Sequence, residues 1–303
     1  GGTIGSELCR QISDFSPSNL ILIDNSEYNL YSIDKRLEQL NSSIPRKLYL
    51  ADVRDRKRID DTFSKELPEV VFHAAALKHV PMVELNPNEG VLTNVIGTRN
   101  VADACVEFKV KIMVLISTDK AVNPTNIMGA TKRVAESYCQ ALGQTLQANK
   151  GSLKIVTVRF GNVLGSSGSV VPLFQKQISE GGPVTVTHQE ITRYFMTTRE
   201  AVQLVLQASA NNKIVGSGGI YVLDMGDPVH INDLAQQMIR LAGHIPNVDI
   251  KVIFTGLRPG EKLFEELFHP DEIPTPTSTP GVLQAKTRPR NYNNISSIIS
   301  QIE

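Results

Sequence analysis

The sequence of 303 residues predicts an α/β fold, a doubly wound parallel sheet with a smaller C-terminal lobe. Three observations carry that expectation. Short apolar runs rich in β-branched residues recur as NLILID at 19–24, EVVFHAAA at 69–76, KIMVLIS at 111–117 and IVTVRF at 155–160. Each run is separated from the next by a longer stretch that suits a helix, as in a parallel sheet covered on both faces. The chain also opens on GGTIGSE, a glycine turn running straight into a helix.

Taken in order, that opening turn has no apolar run before it. The first strand of the sheet is therefore expected to be missing from this sequence, and strand and helix alternate from residue 19 to about 160. Beyond residue 161 the rhythm changes. GNVLGSSGS reads as a loop, GGPVTVTHQEITRYFMT as a turn and short strand, and a helix begins near Thr198 with Glu200 in its first turn. GGIYVLDMG reads as a strand, INDLAQQMIRLAG as a helix closed by glycine, and NVDIKVIFTGLRPGEKLFEELF as strand, tight loop and helix. PDEIPTPTSTPGV at 270–282 reads as a surface excursion. The expected division is a nucleotide-binding domain at 1–160, N-terminally incomplete, and a mainly substrate-binding lobe at 161–303, interleaved with the end of the large domain.

Lys plus Arg equals Asp plus Glu at 31 each, and this zero formal charge gives no reason to expect a nucleic-acid partner. Cys9, Cys105 and Cys139 are too sparse for a disulfide framework or a zinc site. No apolar run approaches the 18 or so residues that span a bilayer, and no basic-then-apolar leader opens the chain. The expectation is a cytoplasmic catalytic portion with no direct membrane insertion.

The chemistry-bearing residues fall in three places. At the glycine turn, Gly2 and Gly5 let a backbone approach a pyrophosphate, and the following helix offers free N–H groups. Asp24 ends the next apolar run 19 residues beyond Gly5. An acid there accepts from ribose hydroxyls and repels an extra phosphate, which favours NAD over NADP. Asp52 and Val53 suit an adenine amino group and ring face, or an ordinary turn. Ala74 and Ala75 leave room for a flat cofactor, while Lys78 faces either cofactor or solvent. His73 and His79 lack the partners of a metal site, and none is expected.

The second place is LISTDKAVNPTNIMGATKRVAE at 115–136. Thr118, Asp119 and Lys120 follow a strand, the usual position for chemistry in a parallel sheet. Thr118 suits a sugar hydroxyl, Asp119 an acid with raised pKa, and Lys120 a base with lowered pKa. The plain alternative is a loop of capping residues. Met128 and Lys132 lie four apart on one helix face, about 6 Å along the axis. The third place comprises Asn162, Arg258, Glu261 and His188, candidates for a diphosphate and its ribose, with Arg193 and Tyr194 beside them.

Several long stretches match one family in the correct order: GGTIGSELCRQI, FHAAALKHVPMVELNP, ISTDKAVNPTNIMGATKR, VRFGNVLGSSGSVVPLF, ITRYFMT and GLRPGEKLFEEL. Across nearly its whole length the sequence resembles the catalytic domain of the long-form bacterial UDP-N-acetylglucosamine 4,6-dehydratases. These belong to the extended short-chain dehydrogenase/reductase superfamily, with its Rossmann-like fold. The resemblance implies Asp119 as the acid that protonates the departing C6 hydroxyl and Lys120 as the base at C5. It implies Lys132 at the nicotinamide ribose, with Met128 where the wider superfamily has a tyrosine. A thioether can do no phenolic proton chemistry, so the group that takes the C4 hydroxyl proton stays open among Thr118, Asp119 and a water near Lys132. The implied cycle is oxidation at C4, loss of water across C5 and C6, and reduction at C6, with C5 configuration retained. The resemblance further implies membrane anchoring of the full-length protein, with a homodimer or larger homo-oligomer as a further expectation. An NDP-sugar epimerase and a non-catalytic nucleotide-sugar sensor are the competing functions.

Overall fold

The computed structural model describes residues 1–40, 44–166, 168–210, 217–286 and 290–302. Ser167 of the glycine- and serine-rich loop lies outside them. The first half alternates as expected: α1 (Thr3–Ser13), β1 (Leu20–Asp24), α2 (Glu27–Gln39), β2 (Arg46–Leu50), α3 (Arg56–Glu66) and β3 (Val70–His73). Short helices α4 (Val80–Leu85) and α5 (Pro87–Gly90) lead through a wider helical turn, Val91–Ile96, into α6 (Gly97–Glu107). Then come β4 (Ile112–Thr118), α7 (Ile127–Ala148) and β5 (Lys154–Phe160).

The second half holds β6 (Asn162–Val163), α8 (Val170–Ser179), β7 (Val184–Val186), β8 (Thr192–Arg193), β9 (Phe195–Met196), α9 (Thr198–Ala210) and β10 (Gly219–Leu223). After these follow β11 (Val229–His230), α10 (Ile231–Leu241), β12 (Val252–Phe254), β13 (Ile273–Pro276), β14 (Val282–Lys286) and α11 (Tyr292–Ile302).

The main sheet runs β13-β14-β10-β5-β4-β3, with β3, β4, β5 and β10 parallel and β13 and β14 antiparallel at one edge. The strands β1 and β2 form a separate parallel pair. Strand β4 shows why the apolar runs are continuous. Met113 and Leu115 enter one core beneath α3, α6 and α7, with Ile59, Val101 and Cys139. Val114 and Ile116 enter the opposite core, with Leu8 of α1 and Val202 and Val205 of α9. A strand buried on both faces needs apolar residues at every position, not alternate ones.

A third core, including Phe174, Val186, Ile231 and Ile239, gathers α8, β7 and α10 into a lobe beside the sheet. The excursion at 270–282 departs from expectation, because β13 and β14 within and after it extend the main sheet. Residues 261–268 also depart: they form bends and irregular backbone, not the expected helix. Gly260 there has φ +75°, and its carbonyl accepts from Thr125 Oγ1 (2.9 Å) and Asn126 Nδ2 (3.0 Å), so helix propensity yields to tertiary hydrogen bonds. Among the described residues no helix is long and apolar enough to cross a membrane.

Candidate active site

The carboxyl ends of β3, β4 and β5 open onto a cleft that the start of α1 and the end of β1 also line. Its first wall is the start of α1. A Cβ built on Gly2 or Gly5 meets nothing within 4 Å, so the space over this helix end is open, and both glycines line it. Asp24 ends β1 and lines the same cleft, and its Oδ1 accepts from Ser26 N–H. The turn and the acid expected to serve one ligand thus share one cleft. Asp52 and Val53 lie further along the same wall, but Asp52 is already engaged by Arg54 Nε (2.9 Å) and Asn25 Nδ2 (3.3 Å). Ala74, Ala75 and Lys78 also line the cleft, and burial lowers the Lys78 pKa.

The loop carrying those alanines is fixed by a residue the sequence reading missed. Asn94, fully buried, accepts from Leu77 N–H (2.8 Å), and its amide donates to Leu77 O (3.0 Å) and Thr131 Oγ1 (2.9 Å). It ties the β3 loop to α7. An asparagine in an apolar helical stretch was the available signal. His73 is buried against Thr98 Oγ1, and among the described residues no group of three or more His, Cys, Asp or Glu is arranged to hold a metal.

At the centre, the end of β4 turns directly into a short 3₁₀ segment, Asp119–Ala121, which brings three side chains together. Thr118 Oγ1 donates to Asp119 Oδ1 at 2.8 Å, and Lys120 Nζ donates to the same oxygen at 3.1 Å. Asp119 is fully buried, whereas both of its donors line the cleft. Lys120 Nζ also donates to Asn162 Oδ1 at 3.2 Å, from the start of β6. Gly129 allows this turn to sit on α7, since a Cβ there would come within 2.2 Å of the Lys120 carbonyl oxygen.

Lys120 reverses one expectation. Burial by itself disfavours its ammonium, but the carboxylates of Asp119 and Glu265 outweigh burial, with Arg193 opposing them, and the net pKa is raised, not lowered. Glu265 is the second residue missed. Its Oε1 lies 3.5 Å from Lys120 Nζ, and its surroundings leave it only 8% exposed. It was hidden because its segment read as a helix.

Lys132 behaves as anticipated for a buried amine. Desolvation lowers its pKa from 10.5 to about 8, and Nζ donates to Ile116 O at 2.7 Å. Met128 and Lys132 both line the cleft, on the face of α7 that meets β4. In the lobe, Arg258 is exposed at the cleft mouth, and its backbone N–H donates to Glu261 Oε2 (3.1 Å). Glu261 Oε1 accepts from Thr187 Oγ1 (3.2 Å) and from Arg193 Nη2 (3.3 Å). Tyr194 is partly buried and packs against the core that holds Phe160 and Met196. His188 is a correction. It does not line this cleft; its Nδ1 accepts from Glu190 N–H (3.2 Å), because the turn at 188–190 folds the ring back onto its own backbone.

The polar triplet at 118–120 thus sits at the carboxyl edge of a mostly parallel sheet and shares one cleft with a glycine-turn helix. A family model described as polysaccharide biosynthesis protein matches residues 1–287, and the chain belongs to that family. The chain is 51% identical to the capsular polysaccharide biosynthesis protein CapD of Staphylococcus aureus over 274 residues, 90% of this chain and 44% of that protein. It thus spans less than half the length of the first curated relatives it matches. It is 36% identical to the UDP-N-acetylglucosamine 4,6-dehydratase (inverting) of Campylobacter jejuni, covering 86% of this chain and 72% of that one. It is 35% identical to the UDP-glucose 4-epimerase of Rickettsia akari, covering 90% and 77%. Among solved structures, Pen from Bacillus thuringiensis superposes with a TM-score of 0.83 at 33% identity, covering 96% of this chain and 88% of that chain.

Proposed function

We propose that this chain is the catalytic portion of an NAD-dependent nucleotide-sugar 4,6-dehydratase that acts on UDP-N-acetylglucosamine and keeps the configuration at C5. The observation that carries the reading is the Thr118–Asp119–Lys120 cluster at the cleft floor. The residues present suit NAD: open space over Gly2 and Gly5 admits a pyrophosphate, and Asp24, which lines the same cleft, is the acid suited to accept from a ribose diol. When bound, the nicotinamide supplies a reversible two-electron acceptor for sugar C4. Lys132 has two further donors beyond its bond to Ile116, enough to orient a ribose.

Elimination needs a neutral amine to remove the C5 proton and a carboxylic acid to protonate the leaving C6 hydroxyl. One proton moving from Lys120 Nζ to Asp119 across their 3.1 Å contact makes both at once. Sugar binding that excludes water favours this uncharged pair over the ion pair. Asp119 is buried, so its proton reaches the sugar through the Thr118 hydroxyl, which is hydrogen-bonded to it and open to the cleft. Arg258 at the mouth suits the diphosphate. Met128 contributes shape and no proton.

The epimerase reading shares the fold and the C4 oxidation, and the Rickettsia relative carries that name. Incubation with UDP-N-acetylglucosamine and NAD separates the two. A product lighter by one water is expected, with deuterium placed at C4 recovered at C6 of the same molecule. A product of unchanged mass would overturn dehydration. Proton couplings of the fresh product report C5; the inverted pattern, as in the name of the Campylobacter relative, would overturn retention.

A further inference from the structure

Glu265 lies within GLRPGEKLFEEL but has no role assigned to it above, yet the fold goes to some length to hold it still. The segment 261–266 is fastened on two sides. Arg193 Nη1 donates to Leu263 O (3.3 Å) and Arg193 Nη2 to Glu261 Oε1 (3.3 Å), anchoring it to the lobe. Lys262 Nζ donates to Val122 O (2.9 Å), and Asn123 Nδ2 donates to Glu266 Oε1 (3.1 Å), anchoring it to the turn that follows Lys120. Between these anchors Glu265 points inward. Its Oε1 lies 3.5 Å from Lys120 Nζ and 3.8 Å from Arg193 Nε. Its Oε2 is buried with no hydrogen-bond partner, as is Oδ2 of Asp119, the other carboxylate beside this lysine.

We propose that Glu265 is a positioning residue for Lys120: its carboxylate holds the ammonium at the cleft floor and, balanced against Arg193, sets how readily that amine gives up its proton. The proposal rests on the dehydratase reading for its consequence in catalysis, but not for the charge coupling itself. The groups facing Lys120 come from every neighbouring element: Asp119 from its own turn, Asn162 from β6, Arg193 from β8 and Glu265 from the 261–266 segment, with Glu261 behind Arg193. Asp119 and Glu265 flank Lys120, while Arg193 is shared between Glu265 and Glu261. Arg193 therefore has a purpose beyond anchoring: it draws on Glu265, so that the lysine is not bound by two undiluted negative charges. Without Arg193 the amine would keep its proton more tightly; without Glu265 it would release it more easily.

Competitive labelling tests this without any assumption about substrate. Lys120, with its side chain 19% exposed, is within reach of a small amine reagent. At pH 8, far below its pKa, the labelling rate of Lys120 relative to surface lysines reports its neutral fraction. Glu265→Gln should raise that ratio roughly tenfold, the change for about one pKa unit. Arg193→Gln should lower it, and it serves as the test if Glu265→Gln does not fold. An unchanged ratio in the folded Glu265→Gln protein, or a rise in Arg193→Gln, would overturn the proposal. A second arm reads catalysis. The rising limb of the dehydration pH profile should move to lower pH in Glu265→Gln and return towards its original place in Glu265→Asp. A reduced rate on an unmoved profile would mean that Glu265 is merely structural. If the labelling responds as expected while the unaltered protein never dehydrates UDP-N-acetylglucosamine, the coupling stands and the functional reading falls.

Discussion

Two lysines at the same cleft are driven in opposite directions by their neighbours. Lys120 keeps its proton because burial is outweighed by Asp119 and Glu265. Lys132 is lowered to about 8 because burial dominates, with only a weaker pull from Glu136. The sign of the second effect is testable. The folded pKa lies below the unfolded value of about 10.4, so the unfolded chain binds more protons between those limits and stability rises with pH across that window. Urea unfolding of the native protein and of Lys132→Met, at pH 7.5 and pH 9.5, should show the native protein gaining on the variant at the higher pH. Parallel changes would remove the effect. At this scale much of the cleft was readable: Thr118, Lys120, Met128 and Lys132 sit where a strand end and a helix face put them. His188 was not, because a local turn captured its ring, and Glu265 was not, because a charged residue in a segment with helical letters gives no sign of pointing inward.

Among elements, the close approach of α7 to the reactive turn depends on Gly129. A methyl group there meets the Lys120 carbonyl oxygen at 2.2 Å, and backbone cannot swing aside as a side chain can. Gly129→Ala should therefore cost about 1–3 kcal/mol by denaturant unfolding and reduce turnover more than nucleotide binding. Full turnover with unaltered stability would contradict the geometry.

Strand β5 is joined to α7 and the 270–282 region by an ionic knot. Arg159, fully buried, donates to Glu136 (2.7 Å) and Glu272 (2.6 Å), and Ser117 donates to Glu136 (2.6 Å). Burial pushes the pKa of each glutamate up, but Arg159 outweighs it and holds both below the ordinary range. Their stabilising contribution is present above the unfolded carboxylate pKa and is lost as pH falls through the lower folded values. Removing one partner leaves buried charge uncompensated, so Glu136→Ala should lower stability by about 3–5 kcal/mol. A loss below about 1 kcal/mol in urea titrations would show that the knot is not a support. Nothing in IVTVRF marks its arginine as a core residue; its tertiary partners Glu136, 23 residues away, and Glu272, 113 residues away, make it one.

Over the whole molecule, the parallel core was legible because double-sided burial writes itself as unbroken apolar runs. The lobe was harder to read, since its strands are two or three residues long and its register is set by distant partners such as β12 on β7. That arrangement separates two substitutions the sequence could not rank. Arg258→Ala should weaken UDP-sugar binding at least tenfold, about 1.4 kcal/mol or more, and leave NAD binding nearly unchanged. His188→Ala should alter neither by more than about twofold, since it does not line the cleft. Isothermal titration with each ligand decides both; equal losses for the two ligands in Arg258→Ala would refute the assignment.

The carbonyl of Gly260, gripped by Thr125 and Asn126, joins the segment bearing Arg258 to the base of α7. If the proposed function holds, the hand that would grasp the nucleotide and the tool that would work on the sugar are cast as one piece. A transplanted 256–266 loop, brought in to change which nucleotide is accepted, would drag the working end out of alignment unless residues 122–126 travelled with it.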